Sequence, residues 1–441
     1  MEDRAISTRR LDFASHPSYR WYLVAMLWTI GFLNYADRQA IFSVFPLLQT
    51  KLHLSLTELG LLGSAFAWAY GLCAPFAGFL VDRIRRTMAV VGGLELWSLL
   101  CGLTALTSSL WPLTALRCSM GVGESLYFPA SLSMMSDYHG PETRSRALGL
   151  HQTSVYAGTI MGGFFAGWLA EHYGWRIPFV CFGVAGILLG IGLIYFLIEP
   201  QRGASDPEFQ RLSPEALKAL SEPQSFWSFP LLALRTPSIW LLMAAFACAN
   251  FVAVVLLVWM PAYLYKSFHL DLAMSGLTAT ALAQIGSIGG TSTGGWMADL
   301  LTRRTRQGRI LIQAFGVLIG APFVYITCRT HVLMVLMLCL ALWGFFKGLY
   351  DANIFASLYD NIPIHARGVA TGWMNTVGWL GGGGLAPLLV GWWAARHGLG
   401  VAMGMAAVVY VLAGGLLLLA AAMMMRDLGP KSATSVAESA S

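Results

Sequence analysis

An all-α membrane protein of twelve transmembrane helices, built as two pseudo-symmetric six-helix halves, is the fold class that the sequence predicts. Three observations carry that expectation. Of 441 residues, 56% are hydrophobic and only 11% charged, where a soluble domain carries about 25% charged residues. Apolar runs of roughly 20 residues, enough to cross a bilayer as a helix, recur along the whole chain. The third observation is an internal repeat: Gly121, Glu124, Leu126, Tyr127, Asp137 and Arg144 meet Gly344, Lys347, Leu349, Tyr350, Asp360 and Arg367, each 223 residues on. Only the Glu124/Lys347 pair differs in residue type.

The twelve spans fall near 20–48, 58–81, 87–108, 111–138, 146–170, 177–198, 238–265, 273–298, 309–328, 332–359, 367–394 and 400–425. They divide the chain into a cytoplasmic tail (1–19), a first six-helix half (20–199), a cytoplasmic linker (200–237), a second half (238–426) and a disordered cytoplasmic tail (427–441). The net charge of +6 raises the question of an acidic partner. With the N-terminus inside, twenty of the 28 Lys and Arg residues lie in cytoplasmic segments. That is the positive-inside distribution, so the basic balance reflects topology and calls for no nucleic acid. Both termini are expected in the cytoplasm of a plasma (inner) membrane protein.

Span 1 carries Asn34-Tyr-Ala-Asp37-Arg38-Gln39 deep in its apolar run, and span 4 carries Arg117 and Glu124. Ionisable groups are costly at that depth and commonly mark an ion or substrate path. A local ion pair at a helix kink is the alternative for span 1. Seven residues is almost two turns, which places Arg117 and Glu124 on one face roughly 10 Å apart. Span 2 ends in Gly78-Phe-Leu-Val-Asp82-Arg83-Ile-Arg85-Arg86, and span 8 repeats the device 217 residues later as Gly295-Trp-Met-Ala-Asp299, followed by Arg303-Arg304. The glycines permit close helix approach, and each aspartate can meet a helix N-terminus or an arginine. Gly78, Asp82, Arg83, Arg86, Gly295, Asp299 and Arg303 are therefore expected to form a structural, gating motif. His53 to Gly60 is echoed by His269 to Gly276 in the same way.

Spans 5 and 11 repeat Gly149, Gln152, Thr153 and Gly158 as Gly372, Asn375, Thr376 and Gly381. Their small residues let helix backbones touch, while Gln152 and Asn375 are placed either to bond between helices or to meet a ligand. The linker reads as one short interfacial helix between Pro-rich stretches. The seven cysteines fall in or beside spans without metal-like spacing and read as small buried residues. No Gly-x-x-x-x-Gly-Lys-Ser/Thr loop and no His-Glu-x-x-His is present, so neither an ATP-driven pump nor a metalloenzyme is expected. No cofactor or metal is expected.

Parallel six-span repeats joined by a cytoplasmic loop describe a secondary transporter. The chain resembles the major facilitator superfamily over residues 20 to 426, most specifically at Gly78 to Arg86 and Gly295 to Arg304. Arg85 departs from the glycine usual there, which loosens the turn. Asn34 to Arg38, Gly121-Val-Gly-Glu124 with Phe128-Pro129-Ala130, and Trp259 to Leu264 resemble the anion:cation symporter branch. The Spinster-like branch, linked to lipid-type substrates, shares the Asp-Arg and Gly-x-Gly-Glu elements and stands second. Gly162-Gly163 replaces the Gly-Pro of the antiporter signature, which favours symport.

The branch resemblance implies proton coupling at Asp37 and Glu124. Arg38 and Arg117 are expected to balance them, with Arg117 also able to grip a carboxylate through its planar fork. Lys347 either pairs with Asp351 four residues on or anchors an anion. Tyr127, Tyr350 and Asn353 are candidate hydrogen-bonders on the same helices. His151 reads as a hydrogen-bonded helix-end histidine, and Glu95 is unassigned. The expected protein is a monomeric, non-enzymatic carrier in the lipid bilayer. It takes up a small organic anion, such as a sugar acid, with protons or sodium by alternating access. The alternatives are a Spinster-like carrier of amphipathic molecules or a transporter-fold sensor.

Overall fold

The computed structural model describes residues 16, 18–81, 83–201, 205, 236–362 and 367–427. Asp82, the linker helix and nearly all of both tails lie outside the described residues, as does the side chain of Arg367. The first half comprises α1 (Tyr19–Ser43), α2 (Phe45–Lys51), α3 (Leu56–Val81), α4 (Arg86–Thr104), α5 (Leu110–Ser125), α6 (Tyr127–Tyr138), α7 (Pro141–Tyr173) and α8 (Ile177–Phe196). The second comprises α9 (Pro237–Phe268), α10 (Leu272–Thr302), α11 (Gly308–Arg329), α12 (Leu333–Asp351), α13 (Ile354–Tyr359) and α14 (Arg367–Val377). A π turn (Gly378–Gly383) then leads to α15 (Leu385–His397), α16 (Leu399–Gly404) and α17 (Ala406–Asp427). Several expected spans are thus broken helices: α1/α2, α5/α6, α12/α13, α14/α15 and α16/α17 make one span each. Pro46, in the first turn of α2, explains the first break, because a proline cannot continue the hydrogen-bond ladder of α1.

Among the described residues, eight of the twelve spans are long and apolar enough to cross a membrane on that ground alone. The four that fall short are spans 1, 4, 5 and 11, the ones carrying the Asp37-Arg38, Arg117/Glu124, His151/Gln152 and Asn375 groups. Span 10, which carries the candidates Lys347, Tyr350 and Asn353, is among the eight.

The chain packs as two units: residues 1–223 with 257–280, and residues 224–256 with 281–441. This differs from a boundary at 200–237, because the end of α9 and the start of α10 group with the first unit. There the Gln39 amide donates to the Leu257 carbonyl at 3.1 Å, and Gly163 faces Gly276 backbone to backbone.

Within the first unit α1 lies along α7, α3 along α5 and α4 along α8. Glycine permits the closest of these approaches. A Cβ on Gly162 of α7 would collide with the Ala36 backbone of α1, one residue before Asp37. A Cβ on Gly121 of α5 would stand 2.6 Å from the Phe66 carbonyl of α3. In the second unit Gly344 of α12 meets the Ala283 carbonyl of α10 in the same manner. These contacts join residues at both repeat offsets, 223 for Gly121/Gly344 and 217 for Phe66/Ala283. The repeat also shows in the backbone: His53 and His269 both adopt φ 54°, and Gly174 and Gly398 close their helices at φ 95° and 86°. Ser55 caps α3 with Glu58 in a reciprocal box, and Asp271 caps α10 by accepting the Met274 N–H at 2.6 Å.

Replacing Gly162 by leucine is expected to cost about 1–3 kcal/mol through overpacking, with a drop of several degrees in the thermal unfolding midpoint of detergent-purified protein. Gly149→Leu, where a Cβ meets nothing within 4 Å, should leave the midpoint within error.

Candidate transport site

In the first unit α1 and α5 assemble a buried cluster of opposite charges, and α3 adds aromatic rings to it. Helix α1 presents Asn34, Asp37, Arg38 and Gln39 inward because its contact with α7, set by Gly158 and Gly162, fixes which face is turned away. Asp37 is 3% exposed, Arg38 7%, and Arg117 and Glu124 1% each. Arg38 places Nε at 3.0 Å and Nη2 at 2.5 Å from the same oxygen of Glu124, Oε2, and Nη2 also reaches Asn34 Oδ1 at 3.4 Å. Three aromatic rings surround this guanidinium: Tyr35 at 4.6 Å, Phe66 at 4.7 Å and Tyr70 at 5.0 Å to their centroids. Ring faces carry negative quadrupole charge and stabilise a desolvated cation.

Arg117 shares one of those rings, lying 4.7 Å from the Phe66 centroid. Its remaining surroundings are different. No carboxylate oxygen among the described residues comes within 4.0 Å of it, and its Nη1 contacts only the Met120 sulfur at 4.0 Å. Among the described residues, its Nε and Nη2 have no hydrogen-bond partner, nor do Asp37 Oδ1 and Glu124 Oε1. Nε and Nη2 form the side-on edge of the guanidinium, the edge that takes a carboxylate through two parallel bonds. On Arg38 that edge is occupied by Glu124; on Arg117 it is open. Leaving buried donors unsatisfied costs about 1–3 kcal/mol each, and more for charged groups. An anion seated on that edge would recover this energy.

Tyr127 is fully buried, with Oη donating to the Leu27 carbonyl at 2.5 Å. His151 Nε2, 2.8 Å from the same Oη, must therefore be the donor of that contact. His151 lies ten residues inside α7 rather than at a helix end. Lys347 forms an ion pair with Asp351 along α12, with both side chains partly exposed. Asn353 spends its amide hydrogens on Gly294 O at 3.1 Å and Leu349 O at 3.0 Å, holding α10 to the α12/α13 break. Tyr350 is buried, and among the described residues its hydroxyl has no partner. Gln152 is exposed and Asn375 half-buried. Glu95 stands apart from the charge cluster, lodged against Gly190 of α8.

At the ends of α4 and α11, two ion-pair networks repeat. Arg86 is 2% exposed and pairs with Asp137; it also reaches Glu199 Oε1 at 3.1 Å and Ser133 Oγ at 2.9 Å. Arg309 holds Asp360 through contacts of 2.6 and 2.8 Å and lies 3.6 Å from Asp299. Arg86/Arg309 and Asp137/Asp360 are both 223 residues apart. Arg303, expected in this role, is exposed and makes no ion pair among the described residues. Six extra residues between Asp299 and Arg309, compared with Asp82 and Arg86, move the interacting arginine beyond the Arg303-Arg304 pair. Arg83 folds back onto its own helix, donating to Phe79 O at 3.1 Å. A Cβ on Gly78 or Gly295 would meet nothing within 4 Å, so neither makes the close helix contact expected of it.

Sequence reading passed over the aromatic box of Tyr35, Phe66 and Tyr70. It also missed Arg309 as the counterpart of Arg86, which the offset of 223 could have found.

A twelve-helix chain whose halves repeat in backbone and packing, with a buried charge cluster in its first unit, is a membrane transporter. The model of the Major Facilitator Superfamily matches residues 27–387, and the chain belongs to that family. It is an integral membrane protein and not an enzyme. It is 26% identical over 392 residues to the "Probable galactarate/D-glucarate transporter" of Bacillus subtilis, covering 83% of this chain and 85% of that one. It is 25% identical to the hexuronate transporter of the same organism, covering 92% and 94%. With the "Probable L-galactonate transporter" of Escherichia coli it shares 27% over 326 residues, 72% of this chain and 71% of that one. Its fold matches that of a bacterial homolog of the human lysosomal transporter Spinster, solved in an inward-facing and unoccupied conformation. That match has a TM-score of 0.79 and 22% identity and covers 93% and 98% of the two chains.

Burial of Glu199 opposes its charge. The N–H and hydroxyl of Thr87 with the N–H and guanidinium of Arg86 outweigh that and hold its carboxyl below the usual range. A lowered folded value means that its stabilisation is complete above the ordinary glutamate value of about 4.3 and is lost as pH falls through the folded value. The gap in unfolding midpoint between wild type and Glu199→Gln should therefore be full at pH 7 and narrow progressively below about pH 4.3.

Proposed function

We propose that this chain is a symporter of the plasma (inner) membrane, with both termini cytoplasmic. It takes up a small organic anion of the sugar-acid type together with protons by alternating access. The observation that carries the reading is the open Nε/Nη2 edge of Arg117 beside two buried carboxylates.

Charge counting supplies the mechanism. With Asp37 and Glu124 ionised, the two carboxylates and the two arginines sum to zero. A carboxylate arriving on Arg117 would leave one uncompensated negative charge in a region where an isolated charge is very costly. Protonating Asp37 or Glu124 restores neutrality, so substrate anion and proton enter as a pair. Glu124 holds Arg38 in place, and its protonation would release the Arg38 fork as a second contact for the anion. Breaking such a buried pair costs about 3–5 kcal/mol when one partner is simply removed, so release would require the anion to replace Glu124 at Arg38.

The sugar-acid class is proposed because the chain is similar to transporters of such compounds: galactarate, glucarate, galactonate and hexuronates each present at least one carboxylate for an arginine fork and several hydroxyls. Gln152, Asn375, Tyr127, Tyr350, Asn353 and Lys347 remain candidates for contacts to those hydroxyls. Tyr127 and Asn353 hold bonds to the backbone that would first have to open. Gating is assigned to the paired networks of Arg86 and Arg309.

The test is uptake of D-glucarate and D-glucuronate into proteoliposomes under an inside-alkaline gradient, with internal pH recorded. Substrate-dependent internal acidification is expected. Movement of a lysolipid with no sugar-acid flux would instead assign an amphipath carrier, and binding without flux a sensor. Asp37→Asn and Glu124→Gln should abolish concentrative uptake while keeping substrate counterflow. Equal loss of both activities would refute a specific coupling role. Arg117→Lys replaces a two-point grip with a point charge. Losing one charge-assisted bond, worth about 1.5–3 kcal/mol, should raise KM at least about tenfold.

A further inference from the structure

Span 11 changes its helical geometry halfway along. Beyond α14 the residues Gly378–Gly383 form a π turn, and the Gly384 N–H reaches the Trp379 carbonyl five residues back at 2.6 Å. A π turn absorbs one extra residue, rotating all that follows by about 100° relative to a continuous α-helix. Ala370, Met374, Thr376 and Gly378 are buried before or at the turn, and Ala386, Pro387, Val390, Gly391 and Ala394 after it. Residues sixteen positions apart lie about 160° from one another around a straight α-helix but about 60° apart once one residue is absorbed. The wide turn thus brings Ala386 and Val390 nearer the face that carries Ala370 and Met374.

A polar side chain from α9 reaches the turn. Asn250 of α9 donates from Nδ2 to the Gly378 carbonyl at 2.7 Å. It is the only amide or charged residue between Ser238 and Tyr263. Its neighbours on the same face complete the seat: a Cβ on Gly378 would strike the Phe246 ring, and one on Gly382 the Ala247 carbonyl. A Cβ on Gly383 would stand 3.2 Å from Asn250 Nδ2 itself. The glycines are thus explained by the approach of α9. An apolar side chain could fill the same space, so packing alone does not explain an amide at 250.

We infer that Asn250 is a positioning residue for transport: by pinning the π turn through Gly378, it fixes the direction in which Asn375, three residues earlier, presents its amide. The inference rests on the sugar-acid reading only in taking Asn375 as a substrate contact. Asn250 touches no substrate and acts through the helix. Its amide adds a side-chain hydrogen bond to a backbone carbonyl within the irregular turn, and loss of that bond frees the segment to redistribute the extra residue. Asn375 lies on the α14 side, where any such redistribution changes its orientation.

The experiment compares D-glucarate uptake by wild type, Asn250→Leu, Asn375→Leu and the double variant in proteoliposomes. Asn250→Leu is expected to raise KM about fivefold or more with Vmax and reconstituted amount unchanged. The double variant should be no worse than Asn375→Leu alone, because residues acting through one contact are not additive. An unchanged KM, multiplicative losses, or a fall in Vmax alone would overturn the inference. If Asn250→Leu does not reach the membrane, Asn250→Ala is read by the same criteria. A second measurement needs no substrate. In a chain with its seven cysteines replaced by serine, the maleimide labelling rate of Asn375→Cys should change severalfold when Asn250→Leu is added. An unchanged rate overturns the positioning role. Should wild type move no sugar acid, the transport reading fails while the labelling still decides the inference.

Discussion

The Arg38–Glu124 ion pair, buried in the first unit, is the constraint on which the surrounding structure depends. Two charges taken out of water are tolerated only where geometry and additional partners offset the desolvation. Here Asn34 and three aromatic rings supply those partners. Bringing them together requires α1, α3 and α5 at close range, which explains the glycines at 121, 158 and 162 and the small residues facing them. The pair is incomplete by design of its geometry: both Arg38 nitrogens fall on one carboxylate oxygen, so the second oxygen of Glu124 remains available. With Asp37 and the open edge of Arg117, this leaves a buried cluster of two carboxyl groups and two guanidinium groups with unfilled hydrogen-bonding capacity.

The two units reuse one scaffold with different polar contents. Gly121 on Phe66 and Gly344 on Ala283, the paired turns at His53 and His269, and the Arg86–Asp137 and Arg309–Asp360 pairs all recur. The charges at mid-span do not recur. Glu124 is replaced by Lys347, whose partner Asp351 lies on its own helix, so this pair binds no two helices together. Amides take over in the second unit. Asn353 ties α10 to the α12/α13 break, and Asn250 ties α9 to the π turn. Amides bond across helices without the desolvation cost of an ion.

Much of the fold was legible in the sequence because the bilayer imposes a strong rule: every spanning segment needs roughly 20 apolar residues with its backbone bonds satisfied internally. Span positions, the division into repeats and the selection of Asp37, Arg38, Arg117 and Glu124 as the unusual residues all follow from that rule. The repeat offset was also sufficient to pair Arg86 with Arg309. The nearer Arg303-Arg304 doublet concealed it, because a local motif reading does not register a six-residue insertion. His151 was read as a helix-end residue because α7 begins at Pro141, five residues before the apolar pattern does.

By itself, then, the sequence determined the class of the protein, its repeated architecture and which ionisable groups stand where the membrane would otherwise forbid them, since these depend on composition and spacing along one dimension. Only the tertiary structure decided who pairs with whom. That Glu124 takes Arg38 while Arg117 keeps an open edge, that Phe66 is shared by both arginines, and that Asn250 holds a π turn 128 residues away are contacts between distant segments. Side-chain rotamers and helix phase set them, and no local pattern records either.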